Sequence, residues 1–335
     1  MTTSFTSRYR SRHLDRRDVL RAASALVALP WVNAIAQSGS TARMIVPFTP
    51  GASNDTIGRL VADALGRRSG RTWIVENKPG AGSQLGTDLV AKAQPDGNTL
   101  LLSASAGMVI LPAIKPSMPY AVNRDFTYLA RIATSPFALV VNAQLPVRSL
   151  EEFVHLAKTK PGSVRIGTSG VGSLDYMGAA LLQTTTGIEL NIIPYKGMSQ
   201  VLNDLRAGHI DASIVSPATV APLVAERKVR ALAVLDTRQS ASLPGVPSAR
   251  DAGHPRLQVV NWWGIAGPAR LPAAVNTALT SQIETVLADP AFRKSLEDKG
   301  FEVAPLKGRE FAQFVAADLL HWRTVAAQAR ISMTD

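Results

Sequence analysis

Short apolar runs alternate with amphipathic stretches along most of this chain. Aliphatic and β-branched runs at 44–48, 72–75, 99–102, 138–141, 164–167, 212–215 and 231–235 are each bounded by Gly, Pro, Asn or Asp. That pattern predicts strands. Between them, 56–65 places Ile57, Leu60, Val61, Ala64 and Leu65 on one helical face. A helix over 85–93 follows Ser83 as its expected N-cap. Ser149-Leu150-Glu151-Glu152 reads as a capping box opening a helix through Ala157. Helical periodicity continues over 174–185, 200–207, 217–226, 273–288, 291–299 and 310–329, with Asp289-Pro290 as the break between the two helices it separates.

Strands alternating with helices predict parallel α/β sheets. A length of 335 residues predicts two domains. No repeat or linker marks a boundary, so the hinge is sought in the extended segments 136–142 and 258–264. The expected division is 42–140 with 262–335 as one discontinuous α/β domain, and 141–261 as the second. Open α/β sheets bind ligands at the carboxyl ends of their strands. Two such domains facing each other frame a cleft for a small ligand, closed by hinge motion.

The first 36 residues stand apart. A basic stretch carries Arg8, Arg10, Arg12, Arg16, Arg17 and Arg21 against Asp15 and Asp18. The uncharged run 22–35 follows, and Ala34-Ile35-Ala36 supplies small residues where a signal peptidase reads. This order is that of a secretory signal peptide. Arg16-Arg17-Asp18-Val19-Leu20-Arg21 resembles a twin-arginine export signal, with Val19 where Phe is usual; the general secretory route is the alternative. The leader holds +4 of the formal net charge of +11, leaving +7 on the rest. The remaining Lys and Arg are scattered, with no run longer than Arg227-Lys228, so the stripe that nucleic acid binding requires is missing.

Composition excludes more than it assigns. Cysteine is absent, so disulfides, Cys zinc sites and Cys nucleophiles are ruled out. No uncharged run reaches the roughly 20 apolar residues of a membrane span. No Gly-x-Ser-x-Gly elbow or Gly-Lys-Ser/Thr loop occurs, and Gly167, Gly170 and Gly172 are spaced wrongly for a dinucleotide fingerprint. The five histidines are far apart, and no metal or cofactor is expected.

Two strand-to-helix loops stand out, 47–55 and 167–173. Both are rich in small and hydroxyl residues. Small side chains admit a ligand to the backbone, and the free N–H groups of the following helix face it with the positive end of the dipole behind them. A carboxylate suits such a nest. Either loop also reads as an ordinary capped turn. Asp55 reads as a first-turn acid serving its own helix. Trp262-Trp263 reads either as packing or as a cleft wall.

These segments, taken in order, resemble the Bug family of periplasmic solute receptors of tripartite tricarboxylate transporters. The resemblance runs from about Arg43 to about Arg330. It rests on Ile45-Val46-Pro47-Phe48-Thr49-Pro50-Gly51 with Asp55, Val75-Glu76-Asn77-Lys78-Pro79-Gly80-Ala81-Gly82 and Pro95-Asp96-Gly97-Asn98-Thr99-Leu100-Leu101. Gly170-Val171-Gly172-Ser173, Pro194-Tyr195-Lys196-Gly197, Arg230-Ala231-Leu232-Ala233-Val234, Leu243-Pro244-Gly245-Val246-Pro247-Ser248 and Trp263-Gly264 complete it. The resemblance implies a type II periplasmic binding protein fold, with two Rossmann-like α/β domains around a ligand cleft, and no catalysis. It implies carboxylate contacts from Gly51, Ala52, Ser53, Thr168, Ser169 and Ser173, with Phe48 and Tyr195 lining the cleft. The first loop, Asp175 and Ser216-Pro217 depart from the commoner family pattern.

The expected function is capture of a small, carboxylated solute by a monomeric periplasmic receptor, for delivery to the membrane subunits of such a transporter. A ligand sensor for a membrane signalling partner and a secreted enzyme acting on a carboxylate are the alternatives. If the leader is processed as read, mass spectrometry of the exported protein will find Gln37 at its N-terminus. Replacing Arg16 and Arg17 by Lys will block export if the twin-arginine route is used, and will leave it intact if it is not.

Overall fold

The computed structural model describes residues 41–333, so the leader and its two arginines lie outside the described residues. Two sheets form its frame. The first has six strands in the order β11-β4-β10-β3-β1-β2, the second five in the order β7-β6-β8-β5-β9. The first draws on β1 (Ala42–Val46), β2 (Trp73–Asn77), β3 (Thr99–Ala104), β4 (Phe126–Pro136), β10 (Val260–Pro268) and β11 (Glu302–Lys307). The second draws on β5 (Ala138–Asn142), β6 (Arg165–Thr168), β7 (Asn191–Pro194), β8 (Ala212–Val215) and β9 (Val229–Val234).

Both sheets are mixed, which corrects the expectation of parallel ones. β1 lies parallel to β2 and β3, and β6 parallel to β7 and β8. However, β10 runs antiparallel between β3 and β4, and β5 antiparallel between β8 and β9. The cause is the crossover. Only Phe137 separates β4 from β5, so one extended stretch leaves the first sheet and enters the second. The segments sought as hinges, 136–142 and 258–264, are mostly strand. At the crossing, Phe137 N–H donates to the Val259 carbonyl at 2.8 Å, Leu235 N–H to the Phe137 carbonyl at 2.7 Å, and Val259 N–H to the Leu235 carbonyl at 2.8 Å.

The helices follow from their caps and apolar faces. They are α1 (Ser53–Ser69), α2 (Gln84–Ala91), α3 (Leu111–Ile114), α4 (Leu150–Thr159), α5 (Leu174–Thr186), α6 (Met198–Ala207), α7 (Pro217–Ala225), α8 (Ala273–Ala288), α9 (Pro290–Glu297) and α10 (Gly308–Gln328). Ser149 Oγ accepts from Glu152 N–H at 3.1 Å, and Glu152 Oε2 accepts from Arg148 N–H at 2.6 Å, which starts α4. Asp289 Oδ1 accepts from Ala291 N–H at 2.9 Å and starts α9 at Pro290. Ser83 does not cap α2. Its φ of 81° turns the side chain away, and Gly107 packs against its hydroxyl.

One apolar cluster joins the sheets. It runs from Ile45, Leu101 and Tyr128 through Phe311 and Trp322 to Leu181, Ile214 and Leu139. α10 is central to it, packing against β4, α3 and α5. Trp262 is fully buried and its Nε1–H donates to Asp318 Oδ2 on α10 at 2.7 Å. Burial pushes the Asp318 carboxyl up to about 6, against the opposing pull of Trp262, Trp322 and Arg131.

A raised native pKa means that the folded state holds the proton longer than the unfolded chain. Stability therefore falls as pH rises from about 4 to about 6, and stays lower above that. Asp318→Asn keeps the Trp262 acceptor and removes the charge. It is expected to gain about 1–2 kcal/mol at pH 8 and little at pH 4. Urea melts at both pH values measure this, and an unchanged pH dependence would refute it.

Candidate functional site

The two loops singled out in the sequence follow β1 and β6, each at the carboxyl end of a strand in one of the two sheets. In the first, Gly51 adopts a φ of 82° and its N–H donates to Asp55 Oδ2 at 2.9 Å. Arg59 Nε donates to the same oxygen at 2.9 Å, and Asn77 Nδ2 donates to Asp55 Oδ1 at 2.9 Å and to the Phe48 carbonyl at 3.1 Å. Burial disfavours the Asp55 charge, but the donors from Arg59, Gly51 and Asn77 outweigh it and hold the carboxyl below its usual range. Asp55 therefore ties the loop to its own helix and to β2.

The second loop repeats the device. Both the N–H and the hydroxyl of Ser169 donate to Asp175, the latter at 2.7 Å. Ser173 is the N-cap of α5. Its Oγ accepts from Tyr176 N–H at 3.2 Å and donates to the Gly170 carbonyl at 2.7 Å. Gly170 and Gly172 take φ values of 134° and 85°, open to glycine and rare for other residues.

A cavity of about 640 Å³ lies between the loops. Of the expected site residues, Ala52, Ser53 and Ser169 line it together. Phe48 is half-buried against the first-sheet core, and Gly51 has its amide engaged by Asp55. Thr168 is fully buried, and its Oγ1 has no hydrogen-bond partner among the described residues. Ser173 is occupied as a cap. Tyr195 turns its hydroxyl to Asp204 Oδ2 at 2.7 Å, while its N–H holds the Thr168 carbonyl at 2.8 Å. These five residues support the wall; three form part of it.

In the sequence, Trp263 reads as one alternative for a cleft wall, and Asp175 and Ser216 as departures from the family pattern. The rest of the lining goes unread because topology brings it together. Ser135 and Phe137 come from the crossing, and Asn261 and Trp263 from β10. Val215, Ser216, Ala218 and Thr219 come from β8 and α7, Asp175 from α5, and Lys299 and Phe301 from the loop after α9. Trp263 does wall the cavity. Its Nε1–H donates to Asn54 Oδ1 at 2.6 Å, and its ring meets Phe301 edge-on at 5.1 Å. Trp262 faces the other way, as alternation along a strand requires. That opposite face borders a second cavity of about 540 Å³ with Arg131, Asp236, Asp318 and Trp322.

The rims come into close contact at Gly300. Gly300, at a φ of 80°, lies so near α7 that an added Cβ would stand 2.6 Å from the Ala218 Cβ. No group of three metal-ligating side chains occurs among the described residues, and no helix there is long and apolar enough to cross a membrane.

This geometry recurs in known proteins. A sequence profile described as tripartite tricarboxylate transporter family receptor matches residues 57–330. Protein BugT of Bordetella pertussis is 31% identical over 307 residues, covering 91% of this chain and 94% of BugT. A structure from R. palustris solved with adipate aligns with a TM-score of 0.75 at 27% identity, over 87% of this chain and 98% of that one. MatC from Rhodopseudomonas palustris, with bound malate, aligns with a TM-score of 0.70 at 28% identity, over 85% and 98%.

The capping role of Ser173 has a measurable consequence. Ser173→Ala leaves the Tyr176 N–H unpaired and is expected to lower stability by about 1 kcal/mol. Chemical denaturation tests this, and a melt identical to that of the parent would refute it.

Proposed function

The chain belongs to the tripartite tricarboxylate transporter receptor family, and from this premise we propose that it captures a small organic carboxylate in the cleft and delivers it to the membrane subunits of such a transporter. Receptors of this family are periplasmic solute-binding proteins, and the fold is theirs. The observation that carries the ligand class is the meeting of Ala52 and Ser53, at the start of α1, with Lys299 in one cavity. Adipate and malate occupy two structures of the same architecture, and both are small carboxylates. Export through the leader places the protein in the periplasm.

The chemistry is binding by hydroxyls, amides and a helix terminus. Ser53 opens α1, where unpaired N–H groups favour an anion. Lys299 adds a cation at the mouth. Phe48, Gly51, Thr168, Ser173 and Tyr195 act by shaping the loops. Closing the rims around the solute excludes water and strengthens each polar contact. The domain division proposed follows the one expected from sequence, with its boundaries moved to the Phe137 and Val259 crossing because β5 belongs wholly to the second sheet and β10 to the first.

A thermal-shift screen of residues 37–335 against small carboxylates and their neutral amides tests this reading. A ligand at 100 times its Kd stabilises by about 2.7 kcal/mol. Hits are expected among carboxylates, and Ser53→Ala is expected to weaken them by about tenfold, the loss of about one charge-assisted hydrogen bond. Hits confined to neutral compounds would overturn the carboxylate reading.

A further inference from the structure

The α1 and α5 sides of the cleft are chemically opposite, while α7 adds the Ser216 and Thr219 hydroxyls. On the α1 side the polar groups are donors. Trp263 Nε1–H can only donate, so Asn54 must present its oxygen to it, at 2.6 Å. That leaves Asn54 Nδ2 without a protein partner among the described residues. Ala52 and Ser53 at the start of α1 and the exposed Lys299 line the same space. On the α5 side the donors are already used. Ser169 spends its N–H and its hydroxyl on Asp175, and Ser173 spends its hydroxyl on Gly170. What α5 contributes to the cavity instead is the Asp175 carboxylate, on a residue only 3% exposed. Each of its oxygens accepts one hydrogen bond and retains a further acceptor site.

We propose that Asp175 sets the specificity of this cleft, so that the solute carries a carboxylate at one end and a hydrogen-bond donor, an amide or ammonium group, at the other. The inference rests on the receptor reading above and sharpens it. A second ligand carboxylate placed on the α5 side meets a like charge in a space shielded from water, where charge interactions are strongest. A donor there completes a charge-assisted hydrogen bond. Rejection of the diacid thus comes from a built-in repulsion as much as from a better contact to the right solute.

Calorimetry on residues 37–335 tests this with matched series: succinate, glutarate and adipate, their half-amides, and the ω-amino acids of equal length. At the best-fitting length, the half-amide or amino acid is expected to bind at least about tenfold tighter than the diacid. Asp175→Asn, which can still accept from Ser169, is expected to erase or invert that ratio. A diacid that binds the parent chain as well as its half-amide would overturn the proposal, and so would an unchanged ratio in a folded Asn variant. If the variant fails to fold, the ratio in the parent chain decides alone. Failure of every compound in all three series would instead overturn the carboxylate-receptor reading on which the proposal stands.

Discussion

The arrangement depends on one crossing. Phe137 stands between the two sheets with its N–H bound to Val259 and its carbonyl bound to Leu235. The chain passes from β4 to β5 without a loop, so the direction and pleat of β4 are carried straight into the second sheet. This forces antiparallel pairing onto β5 and β10. It also decides which side chains face the cleft. Along β10, Asn261 and Trp263 face it, while Trp262 faces α10. A slip of one residue would exchange these faces. The slip would bury the Asn261 amide in the core and leave Asp318 without its donor.

The second organising device is electrostatic and local. Each binding loop carries its own acid, Asp55 or Asp175, and each acid holds a backbone N–H of the loop that precedes it. Glycines at positive φ allow the turns, and the carboxylates fix them. Such loops are pre-organised before a solute arrives, which lowers the ordering cost of binding. The device consumes donors, however. Amides that serve the loop cannot also serve a ligand, so what remains for recognition is set by which acid faces the cavity. Asp55 turns away toward Arg59 and Asn77, whereas Asp175 lines the cavity.

Much of the fold was legible because the elements carry strong local signals. Every expected helix is present to within a few residues, and the capping box at Ser149 and the break at Asp289 form as read. The strands that were missed have physical reasons for being obscure. β7 and β11 are sheet edges that contain Pro194 and Pro305, a residue type tolerated at an edge and unreadable as strand. β4 places Arg131 mid-strand, where its charge hides the pattern; the guanidinium lies 4.7 Å over Phe314 and donates to the Ala304 carbonyl. The site was legible as two loops and a tryptophan pair, of which Trp263 lines the cavity. Which hydroxyls are spent on caps, as at Ser173, and which distant residues arrive, as at Lys299, are properties of packing.

Gly300 shows how tightly the two sides are matched. Its φ of 80° ends α9 and would strain any other residue, and its missing Cβ lets the rim reach Ala218 on α7. That contact joins a loop leading into the first sheet to a helix leaving the second. Lys299 and Phe301 flank it and both line the cavity. The rim and the lining are therefore continuous along the chain. Under the receptor reading proposed above, the contact of Gly300 with Ala218 is one that opening of the cleft would part, with Lys299 beside it and Asp175 lining the same cavity from α5.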